Sequence, residues 1–186
     1  MKKIFPAFLF IFTLSSCSFL QNFQKQQLQV DSLDKGAKMD MRKFFVGDLE
    51  GFGIVQDQNG KITDTLAITI NGKWEENKGV VQQNFIHTDG KKDSRTWLIT
   101  LANDGGFTAV GHDIVAPAQG KQTGNALQMI YSLLLPGEMG KQQIAFDDKI
   151  YLIDEKSAIM ISDSKKGFSG SGKSIISLKK LVNGKE

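Results

Sequence analysis

Hydrophobic and polar residues alternate along most of this chain with a period of two. From Thr65 to Trp74, Leu66, Ile68, Ile70 and Trp74 fall on one side while Thr65, Ala67, Thr69 and Asn71 fall on the other. Successive side chains of a strand point to opposite faces, so this run predicts a sheet with one apolar and one polar face. The pattern returns at Trp97, Ile99 and Leu101, at Leu127, Met129, Tyr131, Leu133 and Leu135, and at Ile176, Leu178, Lys180 and Val182. Between the runs lie Gln58-Asn59-Gly60-Lys61, Asn71-Gly72, Thr88-Asp89-Gly90-Lys91, Asn103-Asp104-Gly105-Gly106 and Pro136-Gly137, residues that tolerate positive φ or preset a bend. Asp40 to Phe45 reads as a short helical turn, and strand-turn-strand begins at Gly47. About nine or ten strands with no long helix between them favour antiparallel meander connections. An all-β, up-and-down barrel follows, because closure removes the exposed sheet edges that must otherwise be protected. A β-sandwich is the alternative with the same strand spacing.

The first residues have a different character. Lys2 and Lys3 precede an apolar run from Ile4 to Thr13 that is interrupted only by Pro6, the arrangement of a secretory signal. The run falls short of the roughly 20 residues needed to span a bilayer. It ends in Leu14-Ser15-Ser16-Cys17, which resembles the lipobox of bacterial lipoproteins. That resemblance implies a diacylglyceryl group on the Cys17 thiol, cleavage before it and, as a rule, acylation of the new amino terminus. Each buried methylene adds roughly 0.8 kcal/mol, so several acyl chains make a durable anchor. Cys17 is the only cysteine, so no disulfide framework accounts for it. Residues 18 to 36 are rich in Gln and Lys without a sustained apolar face and read as a tether. The expected organisation is a signal peptide at 1–16, a lipidated N-terminus and tether at 17–36, and one barrel domain at 37–186. Ser18, rather than Asp, follows the cysteine, which by the same resemblance implies sorting to the periplasmic face of the outer membrane.

Composition narrows the function classes. Removing residues 1–16 from the 186 leaves 170, enough for one domain with a sizeable core. The formal charge of +3 includes Lys2 and Lys3, so the remaining chain carries +1, and the pI of 8.9 gives no support for a nucleic-acid partner.

Several short segments carry a family resemblance. They are Phe44-Phe45-x-Gly47, Gly53-Ile54-Val55-Gln56-Asp57 with Gly60-Lys61, Phe85-x-x-x-Asp89-Gly90, Arg95-x-Trp97, Gly111-x-Asp113-x-Val115, Gly124-Asn125-Ala126-Leu127 and Phe146-Asp147-Asp148. In this order, over roughly residues 37 to 182, the chain resembles an uncharacterised family of proteobacterial lipoproteins with a domain of unknown function. The resemblance implies a lipocalin-like (calycin) barrel. The chain departs from the family pattern at Met129 and Lys149, where tryptophans are usual, and around Asp64 to Leu66, where arginines are common.

Gly167 to Ser174 (Gly-Phe-Ser-Gly-Ser-Gly-Lys-Ser) satisfies the Walker A pattern. A working phosphate loop joins a strand to a helix in a parallel α/β sheet. Here only twelve residues follow Ser174, and Ile175 to Lys180 read as a final strand, so a Gly/Ser hairpin connection is expected and no nucleotide. His87 and His112, with Asp89 and Asp113 nearby, form the remaining pair that could suggest a metal or an acid-base dyad. Neither has a third ligand at typical spacing, and the chain has no nucleophile elbow. Asp147 and Asp148 are adjacent, so in a strand they face opposite sides, one towards a buried hydrogen bond and one towards solvent. Arg95 has Asp89, Asp93 and Asp113 as prospective partners. No catalytic residue, metal or cofactor is expected.

Trp74 and Trp97 share strand faces with aliphatic residues, where core packing is the default. With Phe85 and Tyr131 they are also the candidate ligand-binding residues, because a barrel interior is the usual place for a β-protein of this size to hold a small apolar molecule. The sequence thus points to a membrane-anchored carrier, sensor or chaperone for a lipid or another small hydrophobic molecule. A scaffolding lipoprotein with a filled barrel and an envelope protein partner, or an envelope enzyme acting on lipid, are the alternatives.

Overall fold

The computed structural model describes residue 28 and residues 30–137, 140–167 and 170–181. The signal segment, Cys17, most of the expected tether and Val182 lie outside the described residues. The single helix among them, α1 (Met41–Phe44), is capped by Asp40, whose carboxylate accepts from the Arg42 amide at 3.0 Å. Ten strands follow: β1 (Gly47–Asp57), β2 (Ile62–Glu75), β3 (Lys78–His87), β4 (Lys92–Leu101), β5 (Gly106–Val110), β6 (Ala118–Thr123), β7 (Ala126–Gly137), β8 (Gly140–Leu152), β9 (Ser157–Lys165) and β10 (Ser171–Lys180). Each pairs antiparallel with its sequence neighbours, and β1 pairs with both β2 and β10, which closes the barrel. The β-sandwich alternative is excluded by that closure. Among the described residues no helix is long and apolar enough to cross a membrane.

The predicted turns set the register. In the β1–β2 connection the Asp57 amide donates to the Lys61 carbonyl at 3.0 Å, and in β3–β4 the His87 amide donates to that of Lys91 at 2.9 Å. Gly60 and Gly90 take φ of +78° and +81° there, a region that residues with a Cβ rarely enter. With register fixed, the alternation sends Leu66, Ile68 and Ile70 of β2, Trp97, Ile99 and Leu101 of β4, and Ile176 and Leu178 of β10 into one core.

The two ends of the barrel differ. At the end carrying the β2–β3, β4–β5, β6–β7 and β8–β9 connections, α1 lies across the opening and buries Met39, Met41, Phe44 and Phe45. The two phenylalanine rings meet edge-on at 5.1 Å. Lys180 Nζ secures this floor, donating to the carbonyls of Lys43, Phe44 and Val46 at the end of α1. A cation suits that place, since the last carbonyls of a helix lack partners. The chain enters at this end: the Leu33 amide donates to Asn125 Oδ1 and the Met39 amide to the Gly124 carbonyl, both at 2.8 Å. At the opposite end, ringed by the other hairpins and by residues 111–117, no such plug is found among the described residues.

Candidate functional site

Ten strands enclose more space than their inward side chains fill, since about eight already leave room for one small ligand. A cavity of about 1100 Å³ runs from the floor to the open end. Its lower wall is apolar, built by Ile70, Val81, Ile99, Leu127, Ile150 and Leu178. Its upper wall is polar and charged. The inward residues of β4 trace the change in a single strand: Leu101, Ile99 and Trp97 below, Arg95 and Asp93 above.

An aromatic wall stands at mid-height. Tyr131 meets Trp97 edge-on at 5.0 Å and stacks on Phe146 at 5.2 Å with 10° between ring planes. Trp97 Nε1 donates to Gln83 Oε1 at 3.0 Å. The Tyr131 hydroxyl donates to Asp148 Oδ2 at 2.9 Å. Burial pushes the Asp148 carboxyl up to about 6, against the hydroxyls of Ser162 and Tyr131 and the charge of Arg95, which favour its ionised form. Burial, together with the neighbouring Asp148, also holds the Tyr131 phenol well above its ordinary value.

Higher up, Arg95 clasps Asp113 through Nε, at 3.2 and 3.1 Å to the two carboxylate oxygens, and through Nη2 at 2.9 Å. Its guanidinium lies 5.7 Å from the Trp97 ring. Burial works to raise the Asp113 carboxyl, but the Arg95 hydrogen bonds and charge outweigh it and leave it low. The pairing pins residues 111–117 beside β7, where Val115 N donates to the Ser132 carbonyl at 3.0 Å and Leu134 N to that of Asp113 at 2.9 Å. At the mouth His87 sits between two carboxylates, with Nδ1 on Asp64 and Nε2 on Asp93 at 3.0 Å. The hydrogen bond that His87 donates to Asp64 raises the His87 pKa. The same bond, with the Thr88 amide, lowers Asp64 to about 2.

Three of the four expected ligand-binding residues, Phe85, Trp97 and Tyr131, line the cavity. Trp74 does not. Its indole lies across Gly79 near the floor, where a Cβ on that glycine would stand 2.6 Å from the ring. The alternation places Trp74 on the correct face but gives no height, and at that height the barrel is filled. Of the three carboxylates considered for Arg95, the structure selects Asp113. His87 is joined to Asp64 and Asp93 rather than to Asp89, whose Oδ1 accepts from the Lys91 amide in the turn. Among the described residues no group of three or more His, Cys, Asp and Glu side chains has the arrangement of a metal site. Asp148 faces inward as one of the adjacent pair was expected to. Asp147 faces outward, where Gln128 Nε2 donates to it at 2.8 Å and Lys149 Nζ lies 3.1 Å away.

Among the described residues the Walker-like segment is part of a strand rather than a loop opening a helix. Ser171 to Ser174 are already strand β10, and Lys173 lies opposite Asp163 of β9, with Nζ 3.4 Å from its carboxylate. Phe168 and Ser169 lie outside the described residues. The importance of Asp148 and Asp64 is not evident from sequence pattern alone. The signal that could have found Asp64 is the β2–β3 register, which places Leu66 opposite His87.

Comparison with solved structures supports the fold. The S-type phycobiliprotein lyase CPES from Guillardia theta matches with a TM-score of 0.56 at 10% identity, over 78% of this chain and 95% of that one. A protein of unknown function from the DUF3598 family of Nostoc punctiforme matches with a TM-score of 0.55 at 11% identity, over 77% of this chain and 50% of that one. At these identities the likeness is one of fold, a lipocalin-like barrel. No curated protein matches the sequence. A family model does match, over residues 14–179, nearly the whole chain: the protein belongs to the DUF3833 family, described as proteins of unknown function.

Proposed function

We propose that this protein is a bacterial envelope lipoprotein, anchored through acyl chains on Cys17 to the periplasmic face of the outer membrane, that carries a lipid or another small hydrophobic molecule in its barrel. The observation that carries the reading is the cavity of about 1100 Å³, just above the usual range for small-molecule sites. Its apolar floor and polar mouth suit an amphipathic occupant entering tail first. Phe85, Trp97 and Tyr131 are its proposed contacts. Binding is noncovalent and needs no cofactor. The space inside disfavours a scaffold with a filled barrel. The lipoprotein part rests on the signal-like segment ending in Cys17.

Native mass spectrometry of the protein purified from membranes tests the carrier reading: a copurifying lipid is expected, and repeated recovery of the empty protein, with no uptake of added lipid, would refute it. Substituting Cys17→Ser should abolish acyl labelling. Persistence of the label would overturn the anchor, and fractionation chiefly with inner-membrane markers would overturn the location.

A further inference from the structure

Among the described residues three buried side-chain atoms lack a hydrogen-bond partner: Trp74 Nε1, Gln128 Oε1 and Asp148 Oδ1. Trp74 stands outside the cavity wall, and Gln128 shares the outer face of the barrel with Asp147. Asp148 alone belongs to the cavity wall. The residue is 3% exposed, and Tyr131 occupies only its second oxygen, Oδ2. Such an unmatched acceptor is strongly disfavoured in a native interior and calls for an explanation.

The surroundings indicate what would satisfy it. Asp148 lies opposite Met129 of β7 and Ser162 of β9. The inward residues of its own strand on either side are Phe146 and Ile150. Asp148 is therefore an acceptor at mid-height beside the Ser162 hydroxyl, its Oδ1 without a hydrogen bond of normal geometry, with an apolar chamber beneath it and the charged mouth above.

We propose that Asp148 is the polar anchor of the cavity, accepting through its free oxygen a hydrogen bond from an N–H or O–H group set partway along an otherwise apolar, uncharged ligand. Secondary amides and hydroxylated chains have this chemistry. A carboxylate at the same height would meet the Asp148 charge and be repelled. This inference deepens the carrier reading and rests on it. Near pH 8 the Asp148 carboxyl, raised only to about 6, is ionised and an acceptor.

Displacement of Nile red from the purified protein at pH 8 by N-methyloctanamide and by N,N-dimethyloctanamide provides the test. The two amides share chain and carbonyl, and only the first has an N–H. The secondary amide is expected to compete at about tenfold lower concentration, the effect of one hydrogen bond to a charged group. In Asp148→Asn the single amide oxygen is retained by Tyr131 and an NH₂ replaces Oδ1, so the preference should vanish. Equal competition in the wild type would overturn the anchor while leaving the carrier reading intact. A preference that survives in Asp148→Asn would likewise overturn the role of Asp148. Failure of the dye and both amides to bind would overturn both readings. The wild-type pair decides even if the variant does not fold.

Discussion

The floor and the mouth of this barrel are built from the same ten strands and the same alternation, yet they solve different problems. At the floor, Met41, Phe44 and Phe45 pack against the lower strand residues, and Lys180 ties the helix end in place. At the mouth, Asp64, His87, Asp93, Arg95 and Asp113 meet one another in hydrogen-bonded pairs near solvent. Apolar burial is the larger source of stability, whereas ion pairs in reach of water contribute little. The difference teaches that apolar burial is concentrated at one end, while the other is held by polar contacts that contribute less to the fold.

The largest expected effect lies at the floor. Phe44→Ala removes a ring that is 2% exposed and should cost about 3–5 kcal/mol, as measured by urea unfolding. A cost under 1 kcal/mol would mean that the plug is dispensable and the contrast between the ends is false.

A buried charge at mid-height should produce the next effect, with the opposite sign. The Asp148 carboxyl titrates at about 6 when folded, against 3.8 for an ordinary aspartate, so its ionised form opposes folding. That cost, about 3 kcal/mol at one pK unit per 1.36 kcal/mol, is present above pH 6 and relieved as pH falls towards 3.8. Asp148→Asn should therefore raise stability by about 2 kcal/mol at pH 8 and by much less at pH 4.5. Denaturation curves at both pH values check this, and a variant equally destabilised at both would contradict it.

Lys180→Met should cost about 1–2 kcal/mol, since it leaves three carbonyls of the plug without their charged donor. A loss confined to amide-exchange protection around α1 would sharpen the comparison by making the plug a separate unit. At the mouth, His87 has a raised pKa, so its contribution is full below about pH 6.5 and is lost as pH rises through the higher folded value. His87→Ala should cost under about 1 kcal/mol at pH 6 and nothing measurable at pH 9. The smallest effect is expected for Lys173→Ala, at most about 0.5 kcal/mol, with no ATP or GTP affinity in either form by calorimetric titration. Saturable wild-type binding lost in the variant would refute the strand reading of the Walker-like segment.

Much of the fold was legible because period-two alternation and turn chemistry are local. Leu66 to Trp74, the Asn59-Gly60 and Asp89-Gly90 turns, the helical turn at Asp40 and the final strand all follow from neighbours in sequence. Closure depends on β1 meeting β10, residues more than a hundred positions apart, so alternation alone left the sandwich open. The site was half legible for the same reason. Facing direction is local, which brought Phe85, Trp97 and Tyr131 to the cavity. Height in the barrel is not local, which left Trp74 at the filled end. Partner choice is not local either: Arg95 meets Asp113 only because residues 111–117 fold back beside β7, and Asp148 meets Tyr131 only through the β7–β8 register.

The entry of the chain beside Gly124 and Asn125 also has a mechanical consequence. Tension along the N-terminal segment is delivered to the end that α1, Lys180 and the phenylalanines already hold shut. The load path never crosses the open rim. Under the proposed anchorage, a pull transmitted through Leu33 would reach the barrel at its plugged end and leave the open rim, at the opposite pole, undistorted.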